Sequence, residues 1–138
     1  MGKERKRSAV ILLIEDDLDD QRIMRRLLEK STTPNKLFTV GDGTDALAYL
    51  YRKDHYKNAQ QAPRPDLIVL DLNLPRLDGR QVLHRIKQDE ELRSIPVVVV
   101  TTSSTERDRK QSMVLGADSY FTKPVAADEL LDVFQRLR

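Results

Sequence analysis

Residues 97–100 read Val97-Val98-Val99-Val100, and residues 11–14 read Ile11-Leu12-Leu13-Ile14. Four consecutive apolar residues leave no polar face, so each run suits a strand covered on both sides. Three further short runs, Lys36–Val40, Leu67–Leu70 and Ser119–Phe121, bring the strand candidates to five. The segments between them change period. Ile23, Met24, Leu27 and Leu28 recur at helical spacing, as do Leu47, Leu50 and Tyr51, and Val82, Leu83 and Ile86. Asp78 is placed to start one helix, and Ser104 or Thr105 followed by Glu106 to start another. Leu130, Val133, Phe134 and Leu137 mark a last helix running to the C-terminus. Short strands alternating with helices of this length imply βαβ units, and hence an α/β fold with a doubly wound five-stranded parallel sheet. The long connection Lys53–Pro65 is polar and reads as an exposed loop before the third strand. Asn35 and Gly41-Asp42-Gly43 read as turns.

A chain of 138 residues suits one domain with its own core. The absence of cysteine excludes disulfides, thiolate zinc sites and a cysteine nucleophile. No apolar run approaches the roughly 20 residues of a membrane span, and no secretory signal follows the basic start, so the expected address is cytoplasmic. The first seven residues carry a net +3 of the formal +2, which leaves −1 for residues 8–138. A duplex-binding domain concentrates positive charge on a folded face. This excess sits on a terminal stretch, so no nucleic-acid partner is expected.

Ligands of doubly wound sheets bind beyond the carboxyl ends of the strands. The first strand ends Ile14-Glu15-Asp16-Asp17, the third Leu70-Asp71-Leu72-Asn73 and the fourth Val100-Thr101-Thr102-Ser103, and the fifth is followed by Thr122-Lys123-Pro124. Singly, each reads as a helix cap or a loop. Asp71 is harder to dismiss, because it ends the strand expected at the centre, where an unpaired charge is costly to bury. Together Glu15, Asp16 and Asp71 bring −3 against the +1 of Lys123, a deficit that a divalent cation fills. Oxygen donors without histidine or cysteine select a hard ion, Mg2+ over Zn2+. A carboxylate beside such an ion, with a lysine and a hydroxyl near, is equipped to accept a phosphoryl group.

Glu15-Asp16, the run Pro65–Pro75 containing Asp71, Leu77-Asp78-Gly79, Ile95–Thr101 and Lys123-Pro124 resemble the receiver domain of two-component response regulators in order and spacing. The resemblance spans the chain from Ala9 onward and implies a flavodoxin-like (βα)5 sheet of strand order 2-1-3-4-5. It implies a flexible basic tail over residues 1–8 and a receiver domain over 9–138, standing alone without an output domain. It makes Asp71 the phosphoacceptor from a sensor histidine kinase, and Glu15, Asp16, Asp71 and the backbone carbonyl of Asn73 the Mg2+ ligands, Glu15 through water. Lys123 then pairs with the phosphoryl oxygens, Thr101 is the switch hydroxyl, Tyr120 the aromatic that follows it, and Lys123-Pro124 a cis bond. Ala62-Pro63-Arg64-Pro65, Thr101–Ser104 and Ser119–Val125 are most similar to single-domain regulators paired with bacterial phytochromes, which implies a bacteriophytochrome kinase upstream.

Apolar residues on the last helix beyond one buried stripe, Leu131 among them, raise a homodimer through the fourth and fifth helices as an alternative to a broad buried face. His55 and His84, the two histidines, read as surface residues. A haloacid-dehalogenase-type phosphatase is disfavoured because Asn73 stands where it needs a second acid. A pseudo-receiver is disfavoured because acceptor, lysine and acid pair are all present.

Overall fold

The computed structural model describes residues 8–136. Its strands are β1 (Ala9–Ile14), β2 (Asn35–Val40), β3 (Leu67–Leu70), β4 (Val97–Thr101) and β5 (Ser119–Thr122). Its helices are α1 (Leu18–Glu29), α2 (Gly43–Leu50), α3 (Gly79–Gln88), α4 (Glu106–Leu115) and α5 (Ala127–Gln135). The strands pair in parallel, as expected from the alternation of elements, and in the order β2-β1-β3-β4-β5 that the resemblance implies.

Side-chain alternation along the buried strands builds two cores, one on each face of the sheet. Leu12, Ile14, Ile68, Leu70, Val97 and Val99 face α2 and α3, where they meet Ala46, Leu50, Val82, Leu83 and Ile86. Ile11, Leu13, Leu67, Val69, Val98 and Val100 face α1 and α5, meeting Met24, Leu27, Leu28, Leu130 and Phe134. Each fully buried Leu or Phe of these layers contributes about 1.5–3 kcal/mol of transfer free energy. Leu131 is half-buried against the second core, in line with a broad buried face on α5.

Register decides what the loops bring together. Ile14 lies opposite Leu70, and Leu70 opposite Val99. The residues just beyond β1 and β3 therefore emerge at one height on one edge of the sheet.

Three local readings are corrected. The Lys53–Pro65 segment is not merely an exposed loop: it contains a 3-10 turn, Asp54–Tyr56, and buries Ala62. It is held by bonds from the Tyr49 hydroxyl to the Pro63 carbonyl (2.8 Å) and the Tyr56 hydroxyl to Asp45 (2.8 Å). Asn35 opens β2, and its side-chain amide donates to the Leu28 and Thr33 carbonyls. Gly41-Asp42-Gly43 is more than a turn, since Asp42 caps α2 and Gly43 packs against Leu77, whose carbonyl oxygen would stand 2.1 Å from a Cβ. Both histidines are exposed. The Lys123-Pro124 bond is cis. The tail expected over residues 1–8 falls, up to Arg7, outside the described residues, as does Leu137, which was expected on the last helix.

Gly79 ties the fold to the strand-end edge. A Cβ there would lie 2.3 Å from the Asp71 carbonyl oxygen and 2.6 Å from the Leu72 Cα, both backbone atoms that cannot move aside cheaply. Gly79→Ala is expected to destabilise by about 1–3 kcal/mol, the usual cost of overpacking. Urea unfolding should show a lower midpoint at unchanged slope, and an unaltered midpoint would contradict the packing.

Candidate functional site

β1 delivers Glu15 inward, where it is 4% exposed, while the next residue, Asp16, is exposed. Asp17 turns away to cap α1, its carboxylate accepting from the Asp20 amide at 3.0 Å. β3 delivers Asp71, 6% exposed, and the loop beyond it folds back so that the Asn73 amide donates to Asp71 Oδ1 at 3.0 Å. The loop after β5 delivers Lys123. Its Nζ donates to Glu15 Oε1 at 2.6 Å, to Asp20 Oδ2 at 2.7 Å and to Asp71 Oδ2 at 2.8 Å.

Asp20 was not singled out in the sequence. Its position as the third residue of α1, three after the capping Asp17, reads as helix-terminus chemistry, and only the path of the lysine reveals its second role. With it, Glu15, Asp20 and Asp71 share the Lys123 ammonium and Asp16 stands beside Glu15 and Asp71, so the local charge is more negative than the sequence suggested. Burial pushes the Glu15 carboxyl up to about 7, against the bonds from Lys123 and the Asp17 amide, and the charge of Asp71 adds to the rise. Lys123 moves the same way: burial opposes its charge, but Asp20, Asp71 and Glu15 outweigh it and hold the ammonium above the ordinary lysine range.

One oxygen each from Glu15, Asp16 and Asp71 lie within 4.8 Å of one another. These residues fit a hard divalent cation, because they present oxygen donors only, carry excess negative charge and include an exposed member, Asp16, open to water. The site opens on a cavity of about 330 Å3 whose walls include Leu13, Met24, Val69 and Val100 beside the polar groups. Apolar walls strengthen every charge interaction at the rim.

Thr101 and Tyr120 are placed one step away. Thr101 ends β4 fully buried, its hydroxyl oxygen accepting from the Ser103 amide at 3.5 Å. Tyr120 is half-buried and donates its hydroxyl to the Ser103 carbonyl at 2.8 Å. Among the described residues neither hydrogen-bonds to Asp71. They meet each other at Ser103.

Residues 11–135 match the family model described as the response regulator receiver domain. Response regulator Rcp1 of Synechocystis sp. is 43% identical over 138 residues, covering 100% of this chain and 90% of that protein. The crystal structure of the Mn(2+)-bound form of Rcp1 superposes with a TM-score of 0.80 over 94% of this chain and 91% of that one. The phosphorylated cyanobacterial phytochrome response regulator RcpA, 43% identical, gives 0.82 over 95% and 91%.

The raised Glu15 value has a definite sign. Between pH 4.5 and about 7 the folded protein keeps a proton that the unfolded chain has released. Stability of the metal-free protein should therefore fall as pH rises through that window, by about 3 kcal/mol. Urea melts in chelator at successive pH values should show the decline, and Glu15→Gln should flatten it. A profile identical in the two proteins would refute the assignment.

Proposed function

This chain belongs to the response regulator receiver domain family, a family of signalling domains in which phosphorylation of an aspartate is typical, and from that membership we propose that Asp71 is its phosphoryl acceptor. The observation that carries the proposal is the setting of Asp71. It is buried at the end of the central strand, 2.8 Å from Lys123 and within metal-sharing distance of Glu15 and Asp16.

In the reaction an Asp71 carboxylate oxygen attacks the phosphorus of a phosphohistidine. The P–N bond breaks as the P–O bond forms, and the imidazole leaves with its electron pair and takes a proton. The donor is a sensor histidine kinase. A bacteriophytochrome is the kinase class favoured here, in keeping with the phytochrome regulators among the relatives. Lys123 neutralises phosphoryl oxygens once Asp71 carries the acyl phosphate, a role suited by its three hydrogen-bonding protons and its raised affinity for them. Glu15, Asp16, Asp71 and the Asn73 backbone carbonyl would hold Mg2+, Glu15 through water. When bound, the ion offsets negative charge developing on the transferred group. Asn73 is held against Asp71 through its own amide, which favours its carbonyl rather than its side chain as the donor.

Phosphorylation changes the charge at Asp71 from −1 to about −2 and adds acceptor oxygens. Thr101 moves its hydroxyl toward them, and Tyr120 follows, so the α4–β5–α5 face changes shape. The shared contact of both residues with Ser103 supports that coupling. Residues 9–138 act as the receiver unit in the cytoplasm, and the only chemistry they catalyse is their own phosphorylation and dephosphorylation. Among the described residues no helix is long and apolar enough to cross a membrane.

A kinase autophosphorylated with labelled ATP should transfer label to the wild type with Mg2+ and leave Asp71→Asn unlabelled. Equal labelling of both would overturn the assignment. A homodimer through α4 and α5 is also proposed, supported by Val114 and Met113 on α4, 85% and 43% exposed. Sedimentation velocity at micromolar protein should show association that beryllofluoride strengthens, and a monomer in both conditions would remove the dimer.

A further inference from the structure

Four bonds converge on Ser103: one joins its hydroxyl to that of Thr105 at 3.4 Å, and each of the other three belongs to a different element. Its amide donates to Thr101 of β4, its carbonyl accepts from Tyr120 of β5, and its hydroxyl donates to Asp108 of α4 at 2.5 Å. Asp108 is the third residue of α4, after the capping Thr105. An acid at this position often folds back onto the cap amide to close a capping box. At α3 that box does form, between Asp78 and Gln81. The Asp108 carboxylate instead spans outward, taking the Ser103 hydroxyl on Oδ2 and the Arg80 guanidinium on Oδ1 at 2.8 Å. The Ser103 hydroxyl and then Arg80 hold its carboxyl below the usual carboxylate range. Arg80 also grips Asp78, the cap of α3, at 3.2 and 3.3 Å. Next to Asp78, Gly79 rests on the Asp71 backbone.

The helix that carries Asp108 has little else to fix it. Ser112 is its one fully buried residue, and the Ser112 hydroxyl has no hydrogen-bond partner among the described residues. A helix so weakly anchored by apolar burial depends on the polar ties at its first turn.

We propose that Asp108 and Arg80 form a latch that holds Ser103, and with it the β4–α4 loop, in the resting position. The pair are positioning residues: they touch neither metal nor phosphoryl group and act through the Ser103 hydroxyl. The inference rests on Asp71 as acceptor, since closing the loop over a phosphoryl group pulls Ser103 away from Asp108. A latch that must open opposes phosphoryl capture, so weakening it favours the closed state.

The test is the affinity for beryllofluoride with Mg2+, followed through the amide resonances of Thr102 and Ser103. Asp108→Asn should bind the mimic about 3- to 10-fold more tightly than wild type, the scale of one weakened charge-assisted bond. Arg80→Gln should shift it the same way by less, and serves if Asp108→Asn does not fold. Affinity for Mg2+ alone should be unchanged in both. In a Ser103→Ala background the Asp108→Asn effect should vanish, whereas a general loosening of α4 would persist there. Equal or weaker binding by the variants, or an effect that survives Ser103→Ala, overturns the latch while leaving Asp71 in place. A wild type that binds no beryllofluoride overturns the Asp71 reading and the latch with it.

Discussion

One ammonium group organises the functional edge of this protein. Lys123 bonds to Glu15, Asp20 and Asp71, partners 108, 103 and 52 positions away in the chain. Two of the three acids are almost wholly buried, and a buried carboxylate without a partner is expensive to hold. The lysine thus makes the site tolerable to the fold, yet it leaves the carboxylates in excess. Burial, with a smaller contribution from the charge of Asp71, lifts the Glu15 carboxyl toward neutrality, and the excess of carboxylates leaves room for a cation's charge beside Asp16.

The sheet makes this convergence possible. Parallel pairing in the order β2-β1-β3-β4-β5 sets the ends of β1 and β3 side by side, so the first residue beyond each is buried at the same edge. Glu15 and Asp71 turn inward while Asp16 and Asn73 face water. Gly79 permits close approach of α3 to the Asp71 backbone, which keeps the carboxylate at a fixed height. Rigidity at the centre contrasts with α4, which is held more by polar ties than by buried apolar surface. An element anchored in that way is suited to move when charge at the neighbouring strand end changes.

Much of this was legible in the residues themselves. Unbroken apolar runs such as Ile11–Ile14 and Val97–Val100 imply strands covered on both faces, and helical spacing between them leaves few alternatives to a doubly wound sheet. The acids, hydroxyl and lysine at the strand ends were also visible, because strand ends are where such a fold presents its ligands. Local chemistry hid the rest. Asp20 and Asp108 both stand at the third position of a helix, where an acid is expected for capping alone. Tyr56 and Ala62 sit in a polar stretch that gave no sign of docking on α2.

By itself the sequence determined which segments are strands, which are helices and which residue types end them, since periodicity and capping act over a few residues. Only the tertiary structure decided that Lys123 would be shared with Asp20 as well as with Glu15 and Asp71, and that Ser103 would be tied to Arg80 through Asp108. Those pairings depend on distances between side chains far apart along the chain. Such distances are set by strand register and helix packing, which no local pattern encodes.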